Sequence, residues 1–201
     1  MFWLRYLLIF TLLFAVGCAK KPPKNMDDSC AIFKEKSGWY DDANASFKKW
    51  GVPIQVQLAI IHQESRFTAK ALAPRDYLLW VIPWGRKSNA YGYAQVKDET
   101  WDWYIDKTGN WGADRDDFDD ATDFIGWYGD YSHKVLGISK WDAYKQYLAY
   151  HEGHGGFKAK SYLKKPWLVK VAQKVKARAG RYGAQLKRCK AELEKPWYSP
   201  F

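Results

Sequence analysis

The segment Ile54–Ser65 constrains the fold more than any other part of the chain, because it is apolar on more than one side. Pro53, whose fixed φ suits a first helical turn, stands directly before it. Apolar residues recur at helical spacing along two stripes of the segment. A helix with this pattern must be enclosed by other elements. The sequence therefore predicts a central helix with the rest of a domain built around it.

The remaining sequence is also mainly helical in pattern. The stretch 71–89, rich in proline and aromatic residues, reads as an irregular excursion, and alternation with a period of two occurs only at 77–82. We therefore predict an all-α domain with room for a small β element in the excursion. The expected helices cover 27–36, 39–49, 98–107, 118–136, 140–151 (capped by Ser139) and 167–193. We expect the last of them to be interrupted near Gly180 and Gly183.

The first residues indicate export. A short cationic start precedes an apolar run from Tyr6 to Val16, which is short for a bilayer span and typical of a secretory signal. Small residues followed by Cys18 resemble a bacterial lipobox, so we expect a signal peptide at 1–17 and a lipid on Cys18. Residues 18–26 then read as the lipidated cysteine and a flexible tether, and 27–201 as the domain. Ala19 after the cysteine suggests the outer membrane, facing the periplasm.

Charge and cysteine content fit an exported protein. With Cys18 lipidated, Cys30 and Cys189 remain, and they form either a disulfide across the domain or two free buried thiols. The net charge of +10 calls for anionic partners. Export argues against nucleic acid and favours acidic cell-wall polymer or anionic lipid, although a solvated basic helix near the C-terminus explains the charge equally well.

Three short segments carry a family resemblance. They are Glu64-Ser65 at the end of the apolar helix, Gly92-Tyr93-Ala94-Gln95, and Ala149-Tyr150-His151-Glu152-Gly153. In this order they resemble lytic transglycosylases of the soluble-lytic-transglycosylase type, which have a goose-lysozyme-like fold. The resemblance covers residues 51–156 and implies a lysozyme-like domain whose substrate is the glycan strand of peptidoglycan, without a cofactor.

The resemblance also implies roles. Glu64 would be the sole acid and base: it protonates the oxygen between N-acetylmuramic acid and N-acetylglucosamine, then takes a proton from the muramic 6-hydroxyl to close a 1,6-anhydro ring. Ser65, Gln95, Tyr93 and Tyr150 would bind substrate, with the Tyr150 phenol holding the Glu64 carboxyl. Ser65 has the alternative of a bond to its own helix, and Tyr150 that of a purely structural partner.

Glu152 departs from the family pattern and adds a carboxylate beside the expected site. It either serves as a second acid for hydrolysis, or raises the pKa of Glu64 by like-charge repulsion, or points to solvent. A hydrolytic muramidase and a catalytically inactive peptidoglycan-binding lipoprotein are therefore the alternatives to the transglycosylase. His151 and His154 are a poor ligand set, so we expect no metal.

Overall fold

A computed structural model describes residues 20–78 and 82–195, with the backbone alone for 76–78 and 82–84. In this part the protein is predominantly α-helical and carries one small hairpin, which confirms the predicted fold class. The elements are α1 Ser29–Glu35, α2 Trp39–Trp50, α3 Ile54–Ser65, β1 Arg75–Leu78, β2 Ile82–Arg86, α4 Asp98–Thr108, α5 Phe118–Leu136, α6 Ala143–Lys158, a 3-10 helix Ser161–Lys164, and α7 Pro166–Leu193.

Helix α3 lies at the centre, as its composition predicts. It packs against α2, α5, α6 and α7. Leu58, Ala59 and Ile61 have no exposed surface. Burying a side chain of the size of leucine or isoleucine stabilises the fold by about 1.5–3 kcal/mol. This burial fixes the helix in place, and with it any group at its C-terminal end.

The last two long helices differ from the sequence predictions, and α6 also continues beyond His151 to Lys158, with non-helical φ and ψ at Gly153. Helix α7 runs without interruption through Gly180 and Gly183, because its buried residues keep one continuous face against α3 and the helices around it. Helix α6 begins later than expected, at Ala143, since the Asp142 side chain caps it by accepting from the Lys145 amide. Ser139, the predicted cap, instead accepts a hydrogen bond from the Trp141 amide.

The two ends of the domain are joined covalently. Cys30 of α1 and Cys189 of α7 form a disulfide between residues 159 positions apart in the sequence. Of the two sequence alternatives, the structure contains the disulfide.

The expected flexible tether is, from Lys20 onward, packed along the domain. Lys20 forms an ion pair with Asp117, the Lys36 ammonium donates to the Lys21 carbonyl at 2.7 Å, and Pro23 is buried. The prediction of a free tether over 18–26 is therefore wrong for the described residues 20–26. That prediction rested on composition alone, and composition does not reveal which residues of the folded domain a segment contacts. Residues 1–19, including Cys18, lie outside the described part.

The excursion contains the hairpin. β1 and β2 pair antiparallel, with Arg75 opposite Arg86 and an irregularity between Asp76 and Tyr77. An isolated bridge between Leu72 and Tyr91 closes the base of the excursion. Within the described residues, no helix has the length and apolar character needed to cross a membrane.

Candidate active site

Glu64 lies in the last turn of the buried helix α3, where the backbone turns away abruptly. Arg66 and Phe67 both adopt left-handed conformations, with φ of 52° and 59°. Such residues cost about 1–3 kcal/mol each and persist only where the surroundings enforce them. Here Phe67 is completely buried and packs against Trp39, with ring centroids 5.9 Å apart. The sharp exit therefore holds Glu64 at a fixed position on the helix end.

The Glu64 carboxyl is strongly desolvated. Glu64 is half-buried, and desolvation by the surrounding protein raises the pKa of its carboxyl from 4.5 to about 7. A hydrogen bond from the Tyr147 hydroxyl of α6 acts in the opposite direction, because it stabilises the carboxylate. A group with this pKa exists in both protonation states near neutral pH, as a general acid and base requires.

Glu64 opens onto a groove of about 670 Å³, a size typical of small-ligand and substrate sites. One wall comes from the base of the excursion and the segment after it, and the other from α5 and α6. The lining residues are Glu64, Ala73, Pro74, Ser88, Ala90, Gln95, Val96, Lys97, Thr100, Phe124, Tyr128, Tyr150, His151, Glu152 and Gly153. The three predicted motif segments therefore meet at one groove.

The segment around Gly92 positions Gln95. Gly92 has φ of 82°, and a Cβ there would lie 2.0 Å from the Arg115 carbonyl oxygen, so the position admits no side chain. The Gln95 amide donates to the carbonyls of Ala71 at 2.9 Å and of Gly92 at 3.1 Å. Both amide hydrogens are thus engaged, and only the Gln95 carbonyl oxygen is available to a ligand.

Ser65 and Tyr93, two other predicted substrate-binding residues, are engaged within the protein. The Ser65 hydroxyl is buried and donates to the Ile61 carbonyl at 3.2 Å, as the alternative interpretation proposed. Tyr93 is 2% exposed and packs edge-on to Trp39 and Phe118, away from the groove, so its assignment to the cleft wall is corrected.

Tyr150 lines the groove, but its hydroxyl donates to the Ala94 carbonyl at 2.6 Å. The prediction that this phenol holds the Glu64 carboxyl is therefore wrong, and Tyr147 has that position. Tyr147 was missed because the motif drew attention to Tyr150. The signal was present, since residues three apart share one face of a helix.

Glu152 lines the groove, but its carboxylate is held by ion pairs and a hydrogen bond within the protein. Its side chain is 3% exposed, and its carboxylate pairs with Lys165 at 2.8 Å and His151 at 3.1 Å and accepts from Ser161. Burial raises its pKa, but these hydrogen bonds prevail and lower it to about 2. The interpretation that Glu152 points to solvent is wrong. Repulsion by Glu152 is not among the causes of the raised Glu64 pKa, and a carboxylate ionised at neutral pH cannot act as an acid.

The described part of the excursion rims the groove through Ala73, Pro74 and Ser88. Sugar stacking on Trp80 or Trp84, which the aromatic content of the excursion suggests, concerns side chains outside the described ones. Among the residues that the structure describes, no group of three or more His, Cys, Asp or Glu is arranged to hold a metal ion.

Comparison with known proteins gives one family. The family model described as "Transglycosylase SLT domain" matches residues 6–189, which is most of the chain. No curated protein and no solved structure gives a significant match. The motif order, the helical fold and the family match agree, and the chain therefore belongs to the transglycosylase SLT domain family, the lytic transglycosylases of peptidoglycan.

Proposed function

We propose that the protein cleaves the β-1,4 bond between N-acetylmuramic acid and N-acetylglucosamine and leaves a 1,6-anhydro-muramic end, with Glu64 as its only acid and base. The observation that carries this proposal is the desolvated Glu64 carboxyl, with a pKa of about 7, at the wall of the groove. About half of such groups are protonated at neutral pH, so the first proton is available to the glycosidic oxygen.

The second half of the reaction uses the same group. When the glycosidic oxygen takes the proton, the bond to the muramic C1 breaks and Glu64 becomes a carboxylate. This carboxylate then accepts the proton of the muramic 6-hydroxyl, whose oxygen bonds to C1 and closes the ring. The Tyr147 hydrogen bond stabilises the carboxylate between the two transfers. No water is consumed, and Glu64 ends protonated as it began.

The state of Glu152 supports this route over hydrolysis. An enzyme that activates water between two carboxyl groups needs a second carboxyl free to act as base or nucleophile. The Glu152 carboxylate is occupied by Lys165, Ser161 and His151. Its low pKa also makes it a weak base. The ion pair with Lys165 instead ties α6 to the start of α7.

Mass spectrometry of muropeptides released from purified sacculi tests the proposal. We expect anhydro-muramic ends from the wild type, and Glu64→Gln, which keeps the shape and removes the titrating proton, to lower the rate by about 10²–10⁴-fold. Glu152→Gln is the matched control and should still yield anhydro ends. Reducing ends that vanish in Glu152→Gln would instead establish a muramidase. Binding to sacculi without release of any product would establish a non-catalytic lipoprotein.

We also propose that the protein is anchored to the outer membrane by lipid on Cys18 and faces the periplasm. The lipobox-like sequence and Ala19 support this placement. Lys20 pairs with Asp117, so a lipid two residues earlier would hold the domain close to the membrane. Growth with labelled palmitate should label the wild type and leave Cys18→Ser unlabelled. Label that persists in the variant, or fractionation with the inner membrane, would contradict the anchor or its location.

A further inference from the structure

The cationic charge of the protein is concentrated in one segment. Residues 153–191, which we call the basic segment, contain twelve Lys or Arg and no Asp or Glu. The whole chain carries +10, so the residues outside the basic segment sum to −2. The segment comprises the end of α6, the 3-10 helix and nearly all of α7. The basic character of the protein is therefore a property of one region.

Helix α7 exposes much of this charge along its outer side. Its buried residues pack inward, and Lys170, Lys174 and Arg181 follow Trp167 at intervals of three, four and seven residues, which places them on one side of the helix. Among the described residues, these three cations have no ion-pair partner within 4.0 Å. At 28 residues the helix is about 42 Å long. It is thus an extended cationic surface.

Two large apolar side chains stand at the start of this surface. Leu163 of the 3-10 helix is 65% exposed and Trp167 in the first turn of α7 is 54% exposed. Lys164 and Lys165 lie between them in sequence. A surface that binds only a polyanion needs the lysines, and exposed leucine and tryptophan would add little to such binding. Exposed apolar residues within a basic helical face are typical of proteins that lie on a bilayer surface.

We propose that the basic segment is a membrane-binding surface, in which Lys170, Lys174 and Arg181 contact anionic phospholipid headgroups while Leu163 and Trp167 insert below them. Lipid is favoured over anionic cell-wall polymer because a bilayer can bury both apolar side chains, whereas a sugar ring offers a stacking face to the tryptophan alone. The contact is additional to any lipid on Cys18.

The surface is coupled to the groove. Lys165, between the two apolar residues, pairs with groove-lining Glu152 at 2.8 Å, and the Trp167 ring lies edge-on to groove-lining His151, with centroids 5.3 Å apart. Membrane contact through Leu163 and Trp167 would therefore hold this end of the groove close to the bilayer. Cleavage would then be directed to glycan strands near the membrane.

Sedimentation with vesicles tests the surface. The chain would begin at Lys20, which keeps every described residue and removes Cys18 as a source of binding. Vesicles of phosphatidylcholine alone and of two parts phosphatidylcholine to one part phosphatidylglycerol give the two arms. We expect binding to the anionic vesicles only, weakening as salt is raised. Lys170→Gln/Lys174→Gln/Arg181→Gln should lower the partition coefficient on the order of 100-fold, from about 1 kcal/mol per cation at the surface.

Matched controls separate this face from general charge and hydrophobicity. Lys48→Gln/Lys107→Gln/Lys145→Gln removes the same charge elsewhere and should bind nearly as well as the parent. Trp167→Ala should weaken binding at least 10-fold, whereas Trp111→Ala, at a tryptophan 79% exposed in the loop after α4, should not.

Equal losses in the two triple variants, or in the two tryptophan variants, would overturn the proposal. So would binding to sacculi but not to vesicles, which would identify cell-wall polymer as the partner. Melting curves for each variant exclude loss of fold as the cause.

Discussion

Replacing Glu64 by glutamine should stabilise the protein, and should do so more at high pH than at low pH. The carboxyl has a pKa of 4.5 when solvated and about 7 in the fold. Between these values the folded state holds a proton that the unfolded state has released. Stability from this group is therefore lost as pH rises from about 4.5 to about 7, and the cost is constant above that.

The magnitude follows from the shift. One pKa unit corresponds to about 1.36 kcal/mol. The raised pKa of Glu64 therefore lowers the free energy of unfolding by roughly 3 kcal/mol at pH 8 and by less than about 1 kcal/mol at pH 5. Glutamine has nearly the same shape and no charge, so Glu64→Gln removes the cost. The free energy of unfolding of the variant should exceed that of the wild type by these amounts.

Urea unfolding of both proteins at pH 5 and pH 8, at one ionic strength, measures the difference. The slope against urea should be equal in the two proteins, so that a change in midpoint reports stability alone. A stability gain that is the same at both pH values, or a loss at pH 8, would refute the claim that Glu64 is desolvated in the fold.

Three further predictions concern other groups. Tyr147→Phe removes the hydrogen bond that lowers the Glu64 pKa. Activity falls at alkaline pH as the acid deprotonates, so this limb of the pH–rate profile should move to higher pH in the variant. An unchanged limb would contradict the contact. Reduction of the Cys30–Cys189 disulfide, or Cys30→Ser/Cys189→Ser, should lower the free energy of unfolding by about 5 kcal/mol or less; calorimetry showing no change would contradict its role. Gly92→Ala places a Cβ against the Arg115 carbonyl and should reduce both melting temperature and activity; a variant equal to the parent in both would show that this backbone adjusts freely.

The buried helix and the motif order were predictable from sequence because they depend on local patterns. The segment Ile54–Ser65 is apolar on more than one side and therefore requires enclosure, and Glu64 lies in its last turn. The glycines at 51, 109 and 137 each end a helix in a left-handed conformation, which is a common role of glycine at this position. The general fold and the position of Glu64 were thus accessible before any coordinates.

The partners of the site residues were not predictable, because they depend on contacts between distant segments. Tyr147 and Tyr150 are both near Glu64, and only the Ala94 carbonyl, 56 positions from Tyr150, decides which phenol is free to face the carboxyl. The state of Glu152 depends on Lys165, which lies beyond the end of α6 and after the 3-10 helix. Tyr93 is buried by Trp39, on an element that the motif does not include.

Digestion of sacculi in water enriched in heavy oxygen most directly tests whether Glu64 alone carries the reaction. Ring closure by the muramic 6-hydroxyl predicts products without label, each one water lighter than the hydrolysed form, and their loss in Glu64→Gln. Labelled reducing ends from the wild type, or unlabelled anhydro ends formed at the parent rate by Glu64→Gln, would contradict it.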